Sequence, residues 1–69
     1  MSIVKKDFEQ GSILVQLSWD KYAPNYHLDV VDTSGPRTTQ LFYGAYYSEA
    51  SALSAYYRQV KKVKYGDYQ

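Results

Sequence analysis

Along the first part of the chain apolar and polar residues alternate, and after Ser48 the alternation gives way to a longer period. In residues 13–19 the odd positions Ile13, Val15, Leu17 and Trp19 are apolar and the even ones are Leu14, Gln16 and Ser18. A period of two predicts a strand with one buried face. Tyr26–Asp32 repeats it, with Tyr26, Leu28 and Val30 toward the core and His27, Asp29 and Val31 away from it. Residues 2–8 read as a polar edge strand, the least marked of the four, whose lysines discourage further pairing. Residues 38–47 predict the last strand, but here both registers are apolar. Phe42 and Tyr46 are expected inward with Gln40, because Gly44 between them admits the helix closely. Leu41 and Tyr43 then face away, and a bulge at Gly44 would switch the faces partway.

The turns fall between these runs. Residues 9–12 contain Gly11, which supplies the positive φ that short hairpin loops need. Pro24-Asn25 and the run Thr33-Ser34-Gly35-Pro36-Arg37 mark the next two. Residues 48–64 then predict a helix whose apolar face carries Ala52, Tyr56, Val60 and Val63, flanked by Leu53. Ser48 suits the N-cap. Glu49 in the first turn and Arg58, Lys61, Lys62 and Lys64 toward the end complement the helix dipole. Gly66 suits a left-handed stop, and residues 66–69 read as a frayed tail. The expected fold is α+β: a four-stranded antiparallel β-meander with one C-terminal helix packed on one face, making a single small domain over 1–69.

Length and composition narrow the possibilities. A chain of 69 residues buries a modest core and often leans on a further staple. There is no cysteine and His27 is the single histidine, so neither a disulfide nor a structural zinc is expected. Self-association is the staple left. A formal charge of +1 points to no strongly charged partner. No apolar run approaches a membrane span and no leader precedes Lys5-Lys6-Asp7, so a cytoplasmic protein is expected.

Candidate chemistry is sparse. His27 and Asp29 share a strand face and form the one pair that resembles a base and its orienter. A solvated strand face explains them better, since no nucleophile accompanies them. The acids Asp7, Glu9, Asp20, Asp29, Asp32 and Glu49 have no metal-binding spacing. No enzyme activity, cofactor, metal or small-molecule substrate is expected.

Tyrosine is the anomaly, at nine residues against two Phe and one Trp. Tyr joins a large ring to a hydroxyl that seeks a partner, and it is enriched at protein interfaces. One helix covers one face of a sheet. The other face would present Leu14, Gln16, His27, Val31, Leu41 and Tyr43, a surface suited to a second copy or to another protein. The expected function is that of a non-catalytic interaction module working through this face.

The alternative is nucleic-acid binding by Arg58, Lys61, Lys62 and Lys64 with exposed tyrosines that stack on bases. The run Phe42-Tyr43-Gly44-Ala45-Tyr46-Tyr47-Ser48-Glu49-Ala50-Ser51-Ala52 resembles the strand-to-helix stretch of integrase-arm and AP2-like DNA-binding domains. The motif is generic and defines no family. The resemblance implies DNA read by a basic sheet face, whereas the face here carries Asp29 with Asp20 beside it and few cations.

Overall fold

The computed structural model describes residues 2–68. The protein is α+β: strands β1 (Ser2–Gln10), β2 (Ile13–Asp20), β3 (Tyr26–Asp32) and β4 (Thr39–Tyr46) precede helix α1 (Glu49–Lys64). All neighbouring strands are antiparallel, in the spatial order β1-β2-β3-β4. With α1 laid across one face, the Cα atoms span 32 × 24 × 14 Å.

β1 is longer than its sequence suggests. Glu9 and Gln10 pair with Leu14 and Ile13, because Gly11 takes φ +60° in a two-residue loop that lets pairing run to the turn. A bulge lies between Val4 and Lys6. At this end of the sheet the Thr33 amide and hydroxyl both donate to the Ser12 carbonyl, at 2.8 and 2.9 Å. The Ser34 amide donates to Asp32 Oδ1 at 2.8 Å. That bond, helped by the Ser34 and Ser12 side chains, holds the Asp32 carboxyl below its ordinary 3.8. At the far end Asn25 closes the β2–β3 loop, its carbonyl accepting from the Asp20 amide at 2.7 Å and its side chain donating to the Asp20 carbonyl at 2.9 Å.

The core forms where alternate strand residues meet the helix. Val15, Leu17, Leu28 and Val30 are fully buried, against Ala52, Ala55, Tyr56, Val60 and Val63 of α1. Each such aliphatic side chain contributes roughly 1.5–3 kcal/mol by leaving water. Trp19, expected inside, is half-buried. It pairs with Ile3 and Tyr26 near the end of the sheet, and the Lys5 ammonium lies 5.8 Å from its ring.

Phe42 and Tyr46 do face the helix, but both are half-buried. Gly44 serves Tyr46 rather than the helix: a Cβ built there would stand 2.6 Å from the Tyr46 hydroxyl, because that ring folds back along the strand. The helix begins as expected, with Ser48 Oγ accepting from the Ser51 amide at 3.2 Å. After Tyr65, Gly66 at φ +77° turns residues 66–68 back. Their amides return to the last helical carbonyls, Gly66 to Val63 and Asp67 to Lys62. Tyr68 packs against the core, and its hydroxyl donates to Oε1 of Gln59, the one buried polar residue among those described. The expected fraying of 66–69 is therefore met by a folded-back turn up to Tyr68, and Gln69 lies outside the described residues.

Candidate interaction surface

Strand register builds the helix-free face row by row. Val4, Ser18, His27 and Ala45 are aligned across the sheet. Asp7, Gln16, Asp29 and Tyr43 form the next row, and Glu9, Leu14, Val31 and Gln40 the one after. Of the six residues expected to form this surface, Leu14, Gln16, His27, Val31 and Tyr43 are there together. Leu41 is not. A bulge between Val30 and Val31 sets Val31 opposite Gln40 while Val30 stays opposite Phe42, so Leu41 is the unmatched residue. Released from the pleat's alternation, it packs against the core. Gln40, expected inward, takes its place on the open face.

The face is cross-linked by its own side chains. Gln40 Nε2 donates to Asp29 Oδ1 at 2.7 Å. His27 Nδ1 and the Tyr43 hydroxyl share a hydrogen bond of 2.6 Å, its direction set by the imidazole tautomer, and their rings are stacked with centroids 6.1 Å apart. These bonds fix the position of Tyr43, which is nonetheless 51% exposed, as is Val4 at 51%. Leu14 and Val31 sit side by side, half-buried. The charges in the three rows are Asp7, Glu9 and Asp29. No lysine or arginine belongs to them.

The cations lie elsewhere, on α1 and on β1. Tyr57, Lys61 and Lys64 share one flank of α1 by their spacing. Lys6 of β1 lies 5.8 Å from the Tyr57 ring, Lys64 5.5 Å from Phe8 and Lys61 5.9 Å from Tyr65. Arg58 lies on the opposite flank, beside Tyr46, and Lys62, four residues on, shares its side. Of the four cations expected to act together, Lys64 lies toward the Tyr57 flank and Lys62 toward the Arg58 flank, while Lys61, three residues from both Arg58 and Lys64, stands between them. Asp7 is near enough to the first flank for its charge to act on Tyr56, whose hydroxyl is raised above 10.0 chiefly by burial.

Two of the clefts in the surface border α1. One, of about 440 Å³, lies between α1 and β4 and is lined by Tyr46, Ala50, Ser51, Ser54, Ala55 and Arg58. The other, of about 200 Å³, lies between α1 and β1, where Lys5, Lys6, Leu17, Tyr26, Glu49 and Leu53 meet. There the Tyr26 hydroxyl donates to Glu49 at 3.5 Å, and shielding from solvent, followed by the Glu49 charge, raises its pKa above 10.0. Neither cleft includes His27. Among the described residues no group of three or more His, Asp or Glu is placed to hold a metal ion, and no helix is long and apolar enough to cross a membrane.

Comparison with known proteins finds no matching family model, no similar curated protein and no similar solved structure.

Proposed function

We propose that the chain is a small, non-catalytic interaction module that binds a second copy of itself, or another protein, through the helix-free sheet face. The observation that carries this reading is Tyr43. Its hydroxyl is tied to His27 at 2.6 Å, yet half of the residue is open to solvent. A ring already fixed in place loses little conformational freedom on binding, which is what makes tyrosine effective at interfaces. Leu14 and Val31 beside it, with Val4 and Ala45 at the margins, supply apolar area. Asp7, Glu9 and Asp29 make the face acidic, so a protein surface suits it better than a polyanion. A cytoplasmic setting belongs to the same proposal. The test is sedimentation of the full chain and of Tyr43→Ala over a wide concentration range. The wild type is expected to associate and the variant to associate less. A wild type that stays monomeric and captures no protein partner through Tyr43 would end this reading.

A second reading rests on Lys6, Lys61 and Lys64 among Phe8, Tyr57 and Tyr65. Cations beside aromatic rings form a flank on which single-stranded nucleic acid could stack and pair its phosphates. Salt-dependent binding of short oligonucleotides, lost in Lys61→Glu/Lys64→Glu, would favour it. The charge of Asp7, close enough to act on Tyr56, weighs against it.

A further inference from the structure

The two outer strands of the sheet are guarded very differently. β1 carries Lys5, Lys6, Asp7 and Glu9 and is interrupted by the bulge between Val4 and Lys6. Charges and bulges are the usual means by which an edge strand avoids pairing with another chain. β4, Thr39-Gln40-Leu41-Phe42-Tyr43-Gly44-Ala45-Tyr46, carries no charge and no proline. It pairs only with β3, so alternate residues turn their N–H and C=O groups outward without a strand to receive them. Its irregularity lies at residues 40–41, which leaves 42–46 as a regular unguarded stretch.

A second observation lies above the same strand. α1 leaves the β4 side of the sheet poorly covered: Phe42 and Tyr46 remain half-buried on the helix side. The open cleft of about 440 Å³ there is walled by Ala50, Ser51, Ser54 and Ala55, with Arg58 its one charge. Small side chains on the helix flank leave room beside the edge for an incoming strand and the rings it carries.

We propose that β4 pairs antiparallel with β4 of a second copy, over residues 42–46, about a two-fold axis at Gly44. This register is self-complementary. It sets Phe42 against Tyr46 of the partner subunit on the helix side, twice, and Tyr43 beside the partner's Ala45 on the open face. Glycine meets glycine at the axis, and the space a side chain would take there is filled by the Tyr46 ring that folds back over each Gly44. Aromatic cross-strand pairs of this kind stabilise sheets. No charges are brought together, since β4 has none. The axis stands perpendicular to the sheet, so both helices lie on the same side and the two sheets become one. A second copy is the fitting occupant because an isologous contact needs only one surface that matches itself, and β4 is such a surface. The edge shares Tyr43 and Ala45 with the helix-free face but pairs through its backbone, so the exchange of the 42–46 amides is what separates the two modes of association.

Amide hydrogen exchange of the full chain, read residue by residue at low and high protein concentration with sedimentation in parallel, tests this. Where nine in ten chains are paired, the outward amides within 42–46 should exchange about tenfold more slowly than on dilution, and those of β1 should be unchanged. Ala45→Lys places on this exposed edge the kind of charge that β1 already carries, and should return the chain to monomer. A dimer whose 42–46 amides stay fast, or an Ala45→Lys chain that dimerises like the wild type, overturns the edge pairing and leaves the sheet-face reading standing. A chain monomeric at every concentration overturns both forms of self-association. The wild-type exchange comparison decides the matter even if Ala45→Lys fails to fold.

Discussion

The two faces of the sheet are made from alternate residues of the same strands, and they reach different degrees of burial by different means. On the helix side Val15, Leu28 and Val30 are 0% exposed and Leu17 is 1%. On the other side Leu14, Gln16, His27, Asp29 and Val31, their immediate neighbours in sequence, are half-buried with nothing above them. That partial shelter comes from lateral neighbours: Val31 beside Leu14, Asp29 against Gln40, His27 against Tyr43. Lateral packing alone takes a side chain about halfway out of water, and a covering layer is needed for the rest. Stability therefore belongs to the helix side, and the open side is free to recognise something.

The sharpest way to break this contrast is Leu28→Ala against Asp29→Ala. The first leaves a cavity under the helix and should cost about 2–5 kcal/mol, enough to unfold a domain with a small stability margin. The second should cost far less in chemical denaturation. Equal losses would mean that the open face carries the fold too. Phe42→Ala against Tyr43→Ala repeats the comparison at the less covered strand. Because Phe42 is half-buried, its loss should fall below the full 3–5 kcal/mol of a core phenylalanine yet still exceed that of Tyr43. The reverse order in thermal melts would show that β4 is held mainly from its open side.

Two smaller changes sharpen the picture at the margins of the core. Tyr68→Phe removes the hydroxyl that donates to Gln59 and leaves a buried acceptor without that donor, at about 1–3 kcal/mol. Denaturation of this variant should show a loss, and its absence would mean that water takes the hydroxyl's place. The smallest effect concerns Asp32, whose carboxyl is held below 3.8 by the Ser34 amide. A depressed carboxyl contributes stability above its unfolded pKa, and loses it as pH falls through the lower folded value. Asp32→Asn should flatten stability against pH below about 3.8 and leave the two faces unequal. An unchanged acid limb would remove this carboxylate from the balance.

Much of this architecture was legible from residue order, for reasons that also explain where legibility stopped. β2 and β3 could be read because Ile13, Val15 and Leu17 alternate with more polar residues and Leu28 and Val30 follow suit. α1 could be read from its cap, its charges and its apolar period. In β4 the signal failed, since Leu41 and Tyr43 are as apolar as Phe42 and Tyr46, and no polar face exists to reveal a bulge. The bulge came at residues 40–41 rather than at Gly44, and it exchanged Leu41 for Gln40 on the open face. Trp19 fits the alternation but lies near the end of the sheet, and α1, at about 24 Å, covers only part of it. Gln59 could not be recognised as buried, because the donor that makes its burial tolerable stands nine residues away, beyond the turn at Gly66.

The meander has a consequence for how the molecule comes into being. Every strand pairs with a neighbour in sequence, so each closure spans a short loop and loses little chain entropy. Such local pairing favours quick assembly for a β-rich protein. Yet a ribosome delivers the four strands before the helix that covers them. Until the helix is made, the strands alone offer no cover for Val15, Leu17, Leu28 and Val30, and β4 offers no charge to guard its edge. The cover for that surface is thus made after the surface itself.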